Sequence, residues 1–176
     1  MLLQLVLRGT CRCICYGHTV SIFDAKSLEL LSTIKDTVDL KSFGHSKYSG
    51  TYRGAPVEGA FSPDGKYLYF TNYAMYGKGF NKEGHDTCSP ASGFDSSFLS
   101  RIDLASKEID AVYPVGSVPK VVKVTPDNKY VLVSNWCSYT LSVISVAARR
   151  NYQRLRTWEN FRASNYSLAK TLTEPL

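Results

Sequence analysis

The chain has 176 residues, 44% apolar and 20% charged, which excludes a disordered polymer and leaves room for one domain with its own core. Much of its net charge of +6 gathers beyond Val146, where Glu159 and Glu174 are the only acids; the rest is close to neutral, which argues against nucleic-acid binding. No run reaches the ~20 apolar residues of a membrane-spanning helix, and the opening MLLQLVL lacks the basic start and cleavage site of an export signal.

Residues 1–15 follow no clear pattern and are expected to be ill-defined. His18–Asp24 reads as a strand, Ala25-Lys26-Ser27 as a turn and Leu28–Ile34 as the returning strand. Pro56–Asn72, PVEGAFSPDGKYLYFTN, is strand, tight turn, strand. Pro63 sets φ for the first central position, Asp64 can bond its own backbone, and Gly65 accepts positive φ. Phe98–Leu104, the turn Ala105-Ser106-Lys107 and Glu108–Val115 repeat the hairpin of residues 18–34. Val118–Asn135, VPKVVKVTPDNKYVLVSN, repeats the hairpin of 56–72. Tyr139–Val146 begins a further copy, and the pattern stops there.

Two hairpins alternate, so the unit is a four-stranded antiparallel sheet, A-B-C-D. Pro63 and Pro126 stand 63 positions apart. Removing a loop of roughly twenty residues leaves about forty, the length of one propeller blade. Such sheets bury their faces only against one another. The expected fold is all-β: a partial β-propeller of four-stranded antiparallel blades over residues 16–146. It comprises C and D of one blade at 18–34, a whole blade at 56–115, and A, B and C of the next at 118–146. Two and a quarter blades leave faces and edges open, so the chain is expected to be a fragment of a longer propeller or to associate through exposed blade faces. The tail, 147–176, carries no repeat. Its composition suits a helix over Gln153–Leu168 that caps the last blade. Alternatively, codons for WENFRASNYSLAKT read in a shifted frame can spell G-K-F-P-R-I-K-L-F-P-G-K-D-F, close to the blade start at Gly116–Lys120.

Ser62-Pro63-Asp64-Gly65 with Phe70-Thr71-Asn72, and Thr125-Pro126-Asp127-Asn128 with Val133-Ser134-Asn135, resemble the YVTN family of β-propeller repeats. WD40 repeats share the S-P-D-G turn, but their Trp-Asp and Gly-His signatures are missing here. Lactonase-type propellers carry a similar hairpin. The YVTN resemblance implies a non-catalytic module for binding a protein or small ligand, exported or on a cell surface. The alternative is part of a propeller enzyme, lactonase-like or with a redox cofactor in its channel.

Binding is expected on the two long insertions, Lys35–Ala55 between D and A and Tyr73–Ser97 between B and C. These connections leave a blade on the same face and exceed the ~12–15 residues of ordinary loops. The candidate rim is His45, Tyr48, Tyr52 and Arg53 with Tyr73, Tyr76, Phe80 and His85. The plainer reading of such residues is mutual packing. Glu58 and Lys123 occupy A-strand positions of the same parity and are expected to face the channel, as an ion pair or solvated wall before any catalytic role.

Cys11, Cys13, Cys15, Cys88 and Cys137 are odd in number and give no clean disulfide framework; inert thiols are expected. Cys11-x-Cys13-x-Cys15 lacks zinc spacing. His85-Asp86-Thr87-Cys88 has a zinc-like H-x-x-C but no second pair. There is no G-x-S-x-G elbow, and Gly77-Lys78-Gly79 lacks the strand–helix setting of a phosphate loop. No catalytic residue, metal or cofactor is therefore assigned.

Overall fold

The computed structural model describes residues 9–14, 17–147 and 152–156. Three antiparallel sheets follow one another along the chain. The first contains β1 (Gly9–Ile14), β2 (Thr19–Asp24) and β3 (Leu30–Lys35) in that order. The second runs β4 (Thr37–Asp39), β5 (Thr51–Phe61), β6 (Tyr67–Tyr76), β7 (Phe98–Asp103), β8 (Glu108–Pro114). The third contains β9 (Pro119–Val124), β10 (Tyr130–Asn135), β11 (Thr140–Ser145) and β12 (Tyr152–Arg156), again in simple succession. This is the expected propeller arrangement, with β5 and β9 as neighbouring A strands.

The turns form because the same local chemistry is written twice. Ser62 Oγ donates to Asp64 Oδ1 at 2.6 Å and accepts the Tyr67 N–H at 2.9 Å. Thr125 Oγ1 does the same with Asp127 at 2.6 Å and the Tyr130 N–H at 3.0 Å. Gly65 and Asn128 occupy the left-handed position with φ of 69° and 56°. Pro56 lies opposite Asn72 and Pro119 opposite Asn135, so the two hairpins share register as well as sequence. The other hairpins match too: Asp24 Oδ1 accepts from Lys26 and Ser27 N–H, and Asp103 Oδ1 from Ala105 and Ser106 N–H.

Burial explains why the sheets stack. Strand β6 is buried on both faces. Tyr69 faces the third sheet with Leu99 and Tyr113, packing on Val122, Val131, Val133 and Ile144. Leu68 and Phe70 point the other way, onto Val20, Ile22 and Ile34 of the first sheet. Period-two alternation thus serves two cores, one on each side of the middle blade.

Three expectations need correction. Residues 9–14 pair along their whole length with β2, so part of the supposedly patternless start is a B strand; the period-two alternation in Thr-Cys-Arg-Cys-Ile was a strand signal. Tyr152–Arg156 is β12, paired with β11 from Thr140↔Arg156 to Ile144↔Tyr152. The third blade therefore has its D strand, and the expected helix does not form over Gln153–Arg156. The open backbone edge of β11 outweighs the weak helix preference of Gln, Arg and Leu. The rest of that helix and the shifted-frame segment beyond Arg156 lie outside the described residues. Finally, Thr51–Ala55 and Tyr73–Tyr76 are not loop but continuations of β5 and β6 beyond the blade.

Candidate functional site

The two insertions rise from the same end of the middle blade and pack on each other. Tyr48 stacks on Phe80 with ring centroids 5.1 Å apart and planes 10° from parallel. Tyr52 is buried; its hydroxyl accepts the Ser49 N–H at 3.2 Å and donates to the Lys78 carbonyl at 3.1 Å. His45 lies edge-on to Phe98 at 5.0 Å, and its Nε2 bonds the Val112 carbonyl at 3.0 Å. Val38, Leu40 and Met75 complete this small core. Three of the candidate rim residues, Tyr48, Tyr52 and Phe80, thus hold the insertions together, and His45 ties the first insertion to β7 and β8. Arg53 is exposed beside them.

The other three line the open side. The Tyr76 hydroxyl donates to Glu83 at 3.1 Å, and the Tyr73 hydroxyl to Asp86 at 3.2 Å. His85 is exposed and meets the edge of Phe94 at 5.0 Å. A cleft of about 220 Å³ runs between the end of β6 and the returning insertion, lined by Tyr73, Tyr76, Phe80, Lys82, Glu83 and Asp95 among others. Its far wall is fixed by Asp95, whose Oδ2 accepts the backbone N–H groups of Asn81 and Lys82, both at 2.7 Å.

Cys88 and Cys137 form a disulfide, Cα–Cα 5.2 Å, correcting the expectation of inert thiols. It also removes Cys88 as a thiolate ligand beside His85, and no cluster of metal-ligating side chains occurs among the described residues. The bond ties the insertion of the middle blade to the third blade. Around it, Lys120 Nζ pairs with Asp86 at 2.7 Å and lies 4.9 Å from the Trp136 ring, while Trp136 Nε1 donates to the Asp86 carbonyl at 2.9 Å. The Lys120 ammonium, through its hydrogen bond and charge, holds the Asp86 carboxyl below the usual carboxylate range. Sequence reading missed this anchor. The available signal was that both cysteines fall in B–C connections of adjacent blades.

Glu58 and Lys123 are brought together across the neighbouring A strands. Partial burial pushes the Glu58 carboxyl up, while the Lys123 charge and the Val122 N–H favour its ionised form. An ion pair elsewhere was not foreseen: the buried Arg101 grips the partly exposed Asp110 with two hydrogen bonds of 2.8 and 2.7 Å under the Tyr67 ring. Also missed was Asp36, fully buried where the first insertion leaves β3. Burial pushes its carboxyl from 3.8 up to about 7.

No protein-family model and no curated protein sequence matches the chain. Solved structures do. Hydrazine synthase from Kuenenia stuttgartiensis is 22% identical with a TM-score of 0.54, over 81% of this chain and 31% of that one. Dihydro-heme d1 dehydrogenase NirN, solved in complex with DHE, is 19% identical with a TM-score of 0.52, over 88% of this chain and 25% of that one. A candidate 6-phosphogluconolactonase from Bacteroides uniformis is 18% identical with a TM-score of 0.50, over 84% and 36%. The chain therefore spans between 25% and 36% of the length of these structures. At this identity the likeness is one of architecture, and that architecture is the β-propeller.

Proposed function

We propose that the chain is a non-catalytic β-propeller module of YVTN type, part of a larger propeller, that binds a protein or small ligand in the cleft of its insertion rim. The observation that carries this reading is how that cleft is braced. Its walls are held by an aromatic core, by Asp95 and by the Cys88–Cys137 bond, so little ordering entropy opposes a ligand. A buried disulfide also supports an oxidising location, exported or at a cell surface. The test is a fragment screen by amide NMR on the labelled chain. Shifts clustering at Tyr73–Gly84, Asp95 and Ser96 are expected. Hits confined to Glu58, Lys123 and their neighbours would overturn the rim as the site.

A second reading, part of a propeller enzyme acting in the channel, is favoured by one observation: the half-buried Glu58 carboxyl on the innermost strand, poised beside Lys123. The structural neighbours are named as enzymes and support this reading as much as the first. The same screen separates the two.

A further inference from the structure

The middle and third blades place an asparagine at the end of strand B, and the two asparagines differ in one respect. In the third blade, Asn135 is saturated. Its Oδ1 accepts the Gly116 N–H at 2.9 Å, and its Nδ2 donates to the Thr140 carbonyl, Thr140 Oγ1 and Ser142 Oγ. In the middle blade, Asn72 Nδ2 donates to Ser100 Oγ at 3.2 Å, but its Oδ1 is buried with no donor. The equivalent glycine N–H, of Gly54, bonds the Asp36 carbonyl instead, at 3.2 Å. The first insertion has thus diverted that donor. It has put in its place the Asp36 carboxyl, both oxygens of which are buried and without a hydrogen bond.

The two groups face each other. A methyl placed on Gly54 would fall 1.9 Å from Asp36 Oδ2 and 2.4 Å from Asn72 Oδ1, so both oxygens crowd the same space. Two acceptors cannot satisfy one another without a proton between them. Among the described residues no cation supplies the missing charge. His18, on the β1–β2 turn, is the titratable neighbour, and its Nδ1 is engaged at 2.6 Å by the Gly54 carbonyl. Strands β6 and β7 offer uncharged Asn72 and Ser100; Lys35 and Arg53, which flank the site on β3 and β5, are exposed.

We propose that Asp36 is kept as a neutral carboxylic acid whose O–H donates to Asn72 Oδ1, and that loss of this proton to solvent releases the insertion Thr37–Arg53 from the blade. The device is a proton-operated latch under one wall of the rim. It does not depend on what the rim binds.

The sign follows from burial. The folded-state pKa lies above the unfolded one, so the folded chain holds the proton between about pH 4 and about pH 7. The stabilisation is complete below that window and is lost as pH rises through it. Asp36→Asn keeps the shape and supplies a permanent N–H donor, so it is a latch that cannot open. Amide hydrogen exchange, corrected for intrinsic rates, is compared at about pH 5.5 and about pH 8.5; wild type is expected to lose about tenfold or more in protection over residues 38–52 and Asp36→Asn less than about twofold. An equal response in both proteins would assign the effect to a group other than Asp36 and overturn the proposal. If the variant does not fold, the carboxyl carbon of Asp36 in wild type decides by NMR. Titration near neutrality is expected; titration in the ordinary carboxylate range would mean that Asn72 turns its amide nitrogen toward an ionised Asp36, and the latch would not exist.

Discussion

Asn72 and Asn135 share a position, a turn type and a register, yet one is satisfied by its own blade and the other waits on a residue from an insertion. That contrast shows how local code and long-range context divide the labour. The turn residues were legible in the sequence because Ser62, Asp64 and Gly65 act within five positions of one another. Asp36 was not, because its surroundings are assembled from Gly54 and Asn72, far along the chain. Where a glycine supports the asparagine, space is tight: a Cβ on Gly116 would stand 2.6 Å from both Asn135 Cβ and Ser138 Oγ. Gly116→Ala is expected to destabilise the fold by about 2 kcal/mol through overpacking, measured by urea denaturation. A loss below about 0.5 kcal/mol would mean the site relaxes freely. At Asp86 the cause of the depressed pKa is the Lys120 ammonium. Lys120→Met should raise the Asp86 titration toward the ordinary carboxylate range, as read by carboxyl carbon NMR. An unchanged titration would show that Lys120 is not its partner.

Among the elements, the hairpins were readable almost to the residue, while the insertions were read as loops because nothing local announces that Thr51–Ala55 and Tyr73–Tyr76 prolong two strands. The equivalence of the hairpins has a consequence. Asp64→Ala and Asp127→Ala each remove the same side-chain acceptor, and each should cost about 1 kcal/mol. Values differing by more than about 1 kcal/mol would say that the turns are alike in sequence but not in role. The disulfide belongs to this scale as well. It closes a span of 49 residues between adjacent blades. In the chain-entropy picture its removal in the double variant Cys88→Ser and Cys137→Ser destabilises by up to about 4 kcal/mol. Thermal melts with and without reductant give the check: reductant should lower the wild-type melting temperature and leave the variant unmoved.

For the whole molecule, the legible feature was repetition. Alternating residues on β6 serve opposite neighbours, so the middle blade is built to be covered on both sides. The D strand of the third blade escaped notice because a short, basic segment pairs through its backbone rather than through a recognisable pattern of side chains. The candidate rim was only half legible: the sequence named its residues but could not tell which pack the insertions and which line the cleft, and Phe80 does both. The stacked-blade arrangement is tested most directly by aromatic-to-methyl NOEs in the labelled chain. Cross-peaks from the Tyr69 ring to Val122 and Val131, and from the Phe70 ring to Val20 and Ile22, are predicted. If Tyr69 and Phe70 instead showed NOEs to one shared set of methyl groups, or to none outside their own sheet, the interleaved blades would be contradicted.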